Sequence, residues 1–224
     1  MKNLLKNLKS IETILFYFLI PAILYTNYKI FIVVPNEKIM GAVQRIFYFH
    51  VSSAIAAYLS IAIVFFASCF YLAKNEEIYN ILNKVAGEVS FVFCSIVLFS
   101  GMIWGQAAWN TWFRFEPRLV TFLLIWLIFL TFNILKFFSN DSKLASHRAI
   151  LGILGAITVP IMVYSIKLLP EVAQIHPQVV EQQGGLDPLM KETLFITMAS
   201  LVLLQVFLIV IRLRVSLITY SLKR

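Results

Sequence analysis

Residues 85–104 read V-A-G-E-V-S-F-V-F-C-S-I-V-L-F-S-G-M-I-W, a run of twenty with one charge, Glu88. A run of that length and apolarity is what a helix needs to cross about 30 Å of hydrocarbon. Five more such runs lie around it: about Ile11–Val34 (interrupted by Pro21), Ile46–Ala73, Arg118–Phe138, Arg148–Lys167 and Thr193–Ile211. With 60% hydrophobic and 13% charged residues among 224, the chain lies outside the soluble globular range. The expectation is an all-α polytopic membrane protein, one domain over residues 1–224 with six transmembrane helices. The first run is too long for a signal peptide and is read as a retained helix.

Directly after the opening run comes W-G-Q-A-A-W-N-T-W-F-R-F-E-P-R-L-V-T, residues 104–121. Three of the four tryptophans (Trp104, Trp109, Trp112) fall here with Phe113 and Phe115, interleaved with Arg114, Glu116 and Arg118. The stretch reads as a wet, aromatic loop over about 104–118, ended by Pro117, which suits the first turn of the next helix. A second polar stretch, about 168–190, contains three prolines and a Gly-Gly pair and reads as another large loop.

Lys and Arg set orientation. With six spans the termini share a side, and that side receives twelve of the nineteen basic residues, from Lys2, Lys6 and Lys9 to Arg212, Arg214, Lys223 and Arg224. Both termini are therefore expected in the cytoplasm. The net charge of +8 is accounted for by these span-flanking residues, and nucleic acid is not an expected partner; the lipid bilayer is. Cys69 and Cys94 sit inside apolar runs without C-x-x-C spacing, so they read as packing thiols. No P-loop is present, and neither hydrolysis nor redox catalysis by this chain is expected.

The same topology puts His50, at the mouth of the second run, and His176, in the second loop, on the outer face with the tryptophans; His147 goes to the inner face. Two imidazoles converging over an aromatic platform suit a planar metal macrocycle better than a closed zinc site, which wants about four protein ligands. Haem offers an apolar face for Trp and Phe and propionates for arginine; Arg45, Arg114 and Arg118 are the nearest basic residues. Each feature has a plainer account: an interfacial aromatic belt, satisfied polar histidines, topological arginines, a snorkelling Glu88. A belt, however, does not require three Trp, two Phe and three charges in one short stretch.

The stretch resembles the signature W-G-x-x-x-W-x-x-W-W-x-W-D-x-R-L-T of the haem-handling proteins of cytochrome c assembly. R-I-F-Y-F-H at 45–50 and H-P at 176–177 are similar to that group's two histidine elements, in the same order. The resemblance is closest to the six-span branch, the haem exporter protein C (CcmC) family. It implies non-covalent haem b held at the outer face of the bacterial inner membrane and passed to the haem chaperone CcmE, beside the transporter CcmA/CcmB and the small subunit CcmD. It also implies His50 and His176 as axial ligands to the haem iron, a porphyrin cradle of Trp104, Trp109, Trp112, Phe113 and Phe115, and Arg45 and Arg118 at the propionates. Phe113, Phe115 and Glu116 depart from the usual Trp, Trp and Asp, and Glu116-Pro117 is similar to the D-P of the longer synthase branch, CcsA.

Two other classes stay open. A respiratory subunit carrying b-type haem for electron transfer would place histidines deep in facing helices. A secondary transporter would want ionisable residues near the midplane, where this sequence has almost none.

Overall fold

The computed structural model describes residues 2–37, 40–135, 142–168 and 186–222. Six helices carry the chain: α1 (Lys2–Tyr28), α2 (Arg45–Lys74), α3 (Glu77–Trp109), α4 (Pro117–Ile134), α5 (Ser142–Leu168) and α6 (Pro188–Leu222). Each is long and apolar enough to cross a membrane, and no strand occurs among the described residues. The chain is a multi-pass, all-helical membrane protein. At about 1.5 Å per residue the longest helices reach about 50 Å, well past the hydrocarbon, so their ends stand in the headgroup layers.

The helix ends differ from the sequence expectation in instructive ways. The turn between α2 and α3 is only Asn75 and Glu76, with Asn75 in the left-handed region (φ 54°), so Lys84 lies inside α3 rather than in a charged loop. Nothing in Glu77–Lys84 breaks a helix, and its polar residues are simply the first two turns. At the other end α3 runs on through Trp109. The first six residues of the tryptophan stretch are therefore helical, and the loop shrinks to 110–116, because W-G-Q-A-A-W contains only one weak helix former, Gly105. Pro117 opens α4 as expected. The close of the fourth run near Phe138 and most of the second loop, His176 included, lie outside the described residues.

The half of the bundle nearer the α2–α3 turn closes around aromatic wedges seated on glycines. The Phe132 ring, 2% exposed, occupies the space that a Cβ at Gly87 of α3 would need, and it approaches Gly152 of α5 as well. A Cβ at Gly155 would come within 2.8 Å of Phe129. Between helices in lipid, association rests on such close packing rather than on escape from water. The bare backbone at Gly87 is used a second time: Asn133 Nδ2 donates to the Gly87 carbonyl at 3.1 Å.

α1 stands at the edge and packs chiefly on α6. Polar ties join the two, among them Glu12 with Arg214, Thr26 Oγ1 with Ser200 Oγ at 2.7 Å, and Lys29 Nζ with Glu192 Oε1 at 3.0 Å. The last lies where α1 widens into a π-type turn over Lys29–Val33. Glu88 pairs with Arg212 (2.9 Å to Nε), so it ties α3 to α6 rather than snorkelling. Arg148 is corrected too: it does not head the fifth run at the inner surface. It is buried at 1% exposure and donates from Nη2 to Asn80 Oδ1 at 3.3 Å. His147 beside it is exposed.

Candidate haem site

The site forms where the start of α2 meets the end of α3. His50 sits in the second turn of α2, as the position of Arg45 at the helix mouth led one to expect. Its Nδ1 lies 3.1 Å from Ser100 Oγ on α3. One turn further along α3, Trp104 meets the imidazole edge-on at 5.8 Å between centroids and Phe47 at 5.9 Å. Trp104 is buried, and its indole Nε1 has no hydrogen-bond partner. Trp109 follows at 6.0 Å from Trp104.

After Trp109 the chain turns back on itself. Asn110 takes the left-handed conformation (φ 53°), which asparagine tolerates better than most residues. Its N–H donates to the Gln106 carbonyl at 3.1 Å, closing the helix end. The return brings the Thr111 carbonyl so near α3 that a Cβ on Gly105 would lie 2.9 Å from it. Gly105→Ala should thus push the loop outward and cost about 1–3 kcal/mol, the usual range for overpacking. Thermal unfolding in detergent reads this directly, and an unchanged midpoint would show that the loop does not rest on Gly105.

The fold-back forms a small pocket, open to solvent on one side and lined by His50, Gly101, Trp104, Trp109, Trp112 and Phe113, with Gly105, Thr111, Arg114, Glu116 and Leu119 completing the wall. Five of the residues picked from sequence thus converge: His50, Trp104, Trp109, Trp112 and Phe113. Three do not line it. Phe115 packs on Phe113 (5.4 Å) but is 88% exposed. Arg45 lies over the Phe31 ring at 5.9 Å. Arg118 is also absent from the wall, where the cation is Arg114, 3.4 Å from Glu116 through its Nε.

Ser100, Gly101 and Gly105 escaped the sequence reading because small residues within an apolar run look like filler. The signal was their spacing: with Trp104 they recur at i, i+1, i+4 and i+5, one helical face. His176 lies outside the described residues, but the helices that flank its segment bracket this end of the bundle. α6 begins here, with Met190 and Leu194 in the same cluster as Trp104, Phe47 and Tyr48. α5 starts at the opposite end, where Ala145 and Ala149 pack on Tyr71 near the close of α2, and so it finishes at this one.

Among the described residues no group of three or more His, Cys, Asp or Glu could hold a metal ion. One imidazole, aromatic walls and an unpartnered buried indole N–H are a poor cage for a bare ion. They fit a macrocycle that brings its own four nitrogens and asks of the protein only axial ligands and apolar contact.

Proteins of similar sequence are known. The family model described as Heme exporter protein C matches residues 2–224. Similar proteins include the Heme exporter protein C of Paracoccus denitrificans, 27% identical over 185 residues (80% of this chain, 76% of that one), and that of Escherichia coli K12, 28% identical over 184 residues (80% and 73%). A putative cytochrome c biosynthesis ccmC-like mitochondrial protein of Marchantia polymorpha is 27% identical over 134 residues, 60% of this chain and 57% of its own.

Proposed function

The chain belongs to the haem exporter protein C family, and on that premise we propose that it holds haem b non-covalently at the outer face of a bacterial inner membrane and hands it to a haem chaperone of the CcmE kind. Haem here is cargo. The observation that carries the reading is the placement of the His50 imidazole in the wall of an aromatic pocket beside the unpartnered Trp104 N–H. His50 and His176 supply the axial nitrogens to iron. Trp104, Trp109, Trp112 and Phe113 cover the porphyrin face and keep water from it, while Phe115, standing out at the rim, extends the apolar surface toward the arriving chaperone. Arg114, in the pocket wall, would be available to a propionate alongside Arg45 and Arg118, which the family resemblance assigns there. The haem-export complex would comprise the transporter CcmA/CcmB and the small subunit CcmD.

The Lys and Arg distribution supports both termini in the cytoplasm, which puts the pocket on the periplasmic side. The chain moves no bonds in this scheme: it binds, orients and releases. Absorbance of the detergent-purified protein, titrated with haem and then with the chaperone, tests it. The expected outcome is a Soret band with bis-imidazole features that moves to the chaperone on mixing. A chain that takes up no haem would sink the proposal.

A further inference from the structure

We propose that Ser100 is a positioning residue for the haem ligand, holding His50 as the Nδ1–H tautomer with its Nε2 lone pair free for iron. This rests on the reading of His50 as an axial ligand. A neutral imidazole carries one proton, and the nitrogen that lacks it is the one able to bind metal. Which nitrogen that is follows from what faces the other.

Ser100 Oγ lies 3.1 Å from His50 Nδ1. The same hydroxyl donates to the Val97 carbonyl, one turn back on α3, at 3.3 Å. A serine has a single proton to give, so with that proton on Val97 it presents only lone pairs to the ring. An acceptor therefore faces the ring from α3, and the imidazole must bring the proton to it. Nε2 is left bare.

The packing makes this the ring's resting position. Gly101, next to Ser100, has no side chain; a Cβ there would come within 3.0 Å of His50 Cε1 and 3.5 Å of Nδ1. The ring lies against bare helix on that side and meets the Trp104 edge on another. An outer hydrogen bond that fixes tautomer and ring direction is a common feature of metal-binding histidines, and its loss typically costs 10–100-fold in affinity.

The experiment uses the full-length protein labelled with 15N-histidine, first without haem. The His50 ring signals, identified by their absence in His50→Ala, should show a protonated Nδ1. Ser100→Ala should move them toward the Nε2–H form that free histidine prefers in water, and Ser100→Thr, which keeps the hydroxyl, should restore the native pattern. With haem added, Ser100→Ala should bind about 10–100-fold more weakly, and Ser100→Thr near the wild-type level. If Ser100→Ala keeps both the native ring signals and the native affinity while His50→Ala loses haem, Ser100 has no positioning role and the ligand assignment stands. If His50→Ala keeps its haem, the ligand assignment falls, and with it any meaning of the tautomer for iron.

Discussion

His50→Ala should cut haem affinity by more than about 100-fold, beyond the 10–100-fold that removal of an outer-shell partner costs, and leave any remaining haem with a spectrum lacking one axial imidazole. The prediction is large because His50 is the one histidine the described pocket contains, and no neighbouring side chain on α2 or α3 could replace its nitrogen. It should also be local. The ring makes one side-chain hydrogen bond, to Ser100, so folding stability should change by no more than about 1.5 kcal/mol for that bond plus a modest packing loss at a half-buried position. His147→Ala serves as the control: its side chain is exposed at the far end of the bundle, and its haem titration should overlay that of the wild type. Equal affinities for all three proteins would remove His50 from the site, whatever the family.

Phe132→Ala should destabilise the folded bundle by about 3–5 kcal/mol, the range for emptying a buried aromatic position. The ring is 2% exposed and fills the hollow that Gly87 and Gly152 leave between α3 and α5. Since lipid tails solvate a loosened helix as well as the core does, the loss would come from forfeited contacts, not from apolar transfer. Gly87→Leu should be comparably harmful from the opposite direction, because its side chain and the ring claim the same volume. The pair together should recover part of the stability that each loses alone, a coupling that a double-mutant cycle isolates. Unfolding in mixed micelles by denaturing detergent measures it; a wild-type midpoint for Phe132→Ala would show that the wedge carries no weight.

Both predictions bear on what could be read before the fold was known. The six spans were legible because apolar length is a one-dimensional property and charged breaks separate the runs. His50 and the tryptophans were legible because aromatic and imidazole groups are rare and bunched. The limits of α3 were not: Glu77–Lys84 is polar yet helical, and Trp104–Trp109 is aromatic yet helical, so composition pointed to loops where nothing breaks a helix. Arg148 misled for a similar reason, since a place at the head of an apolar run says nothing of the Asn80 side chain that α3 brings to it. Nearness along the chain offered Arg45, Arg114 and Arg118 alike and the resemblance favoured Arg45 and Arg118; of the three, the fold-back at Asn110 brings Arg114 into the pocket wall. Ser100 and Gly101 acquire meaning only once α3 is laid against α2.

The ties between α1 and α6 bear on how the molecule is made. Glu12, Thr26 and Lys29 find their partners 202, 174 and 163 residues further on. During synthesis α1 is therefore threaded into the bilayer long before Arg214, Ser200 and Glu192 exist. Until α6 arrives, a carboxylate and an ammonium group on α1 must rely on headgroups and water, and α1 has little other surface to rest on. A chain cut short before α6 would lack all three of these partners, so the joining of α1 to α6 waits until nearly the whole chain has been made.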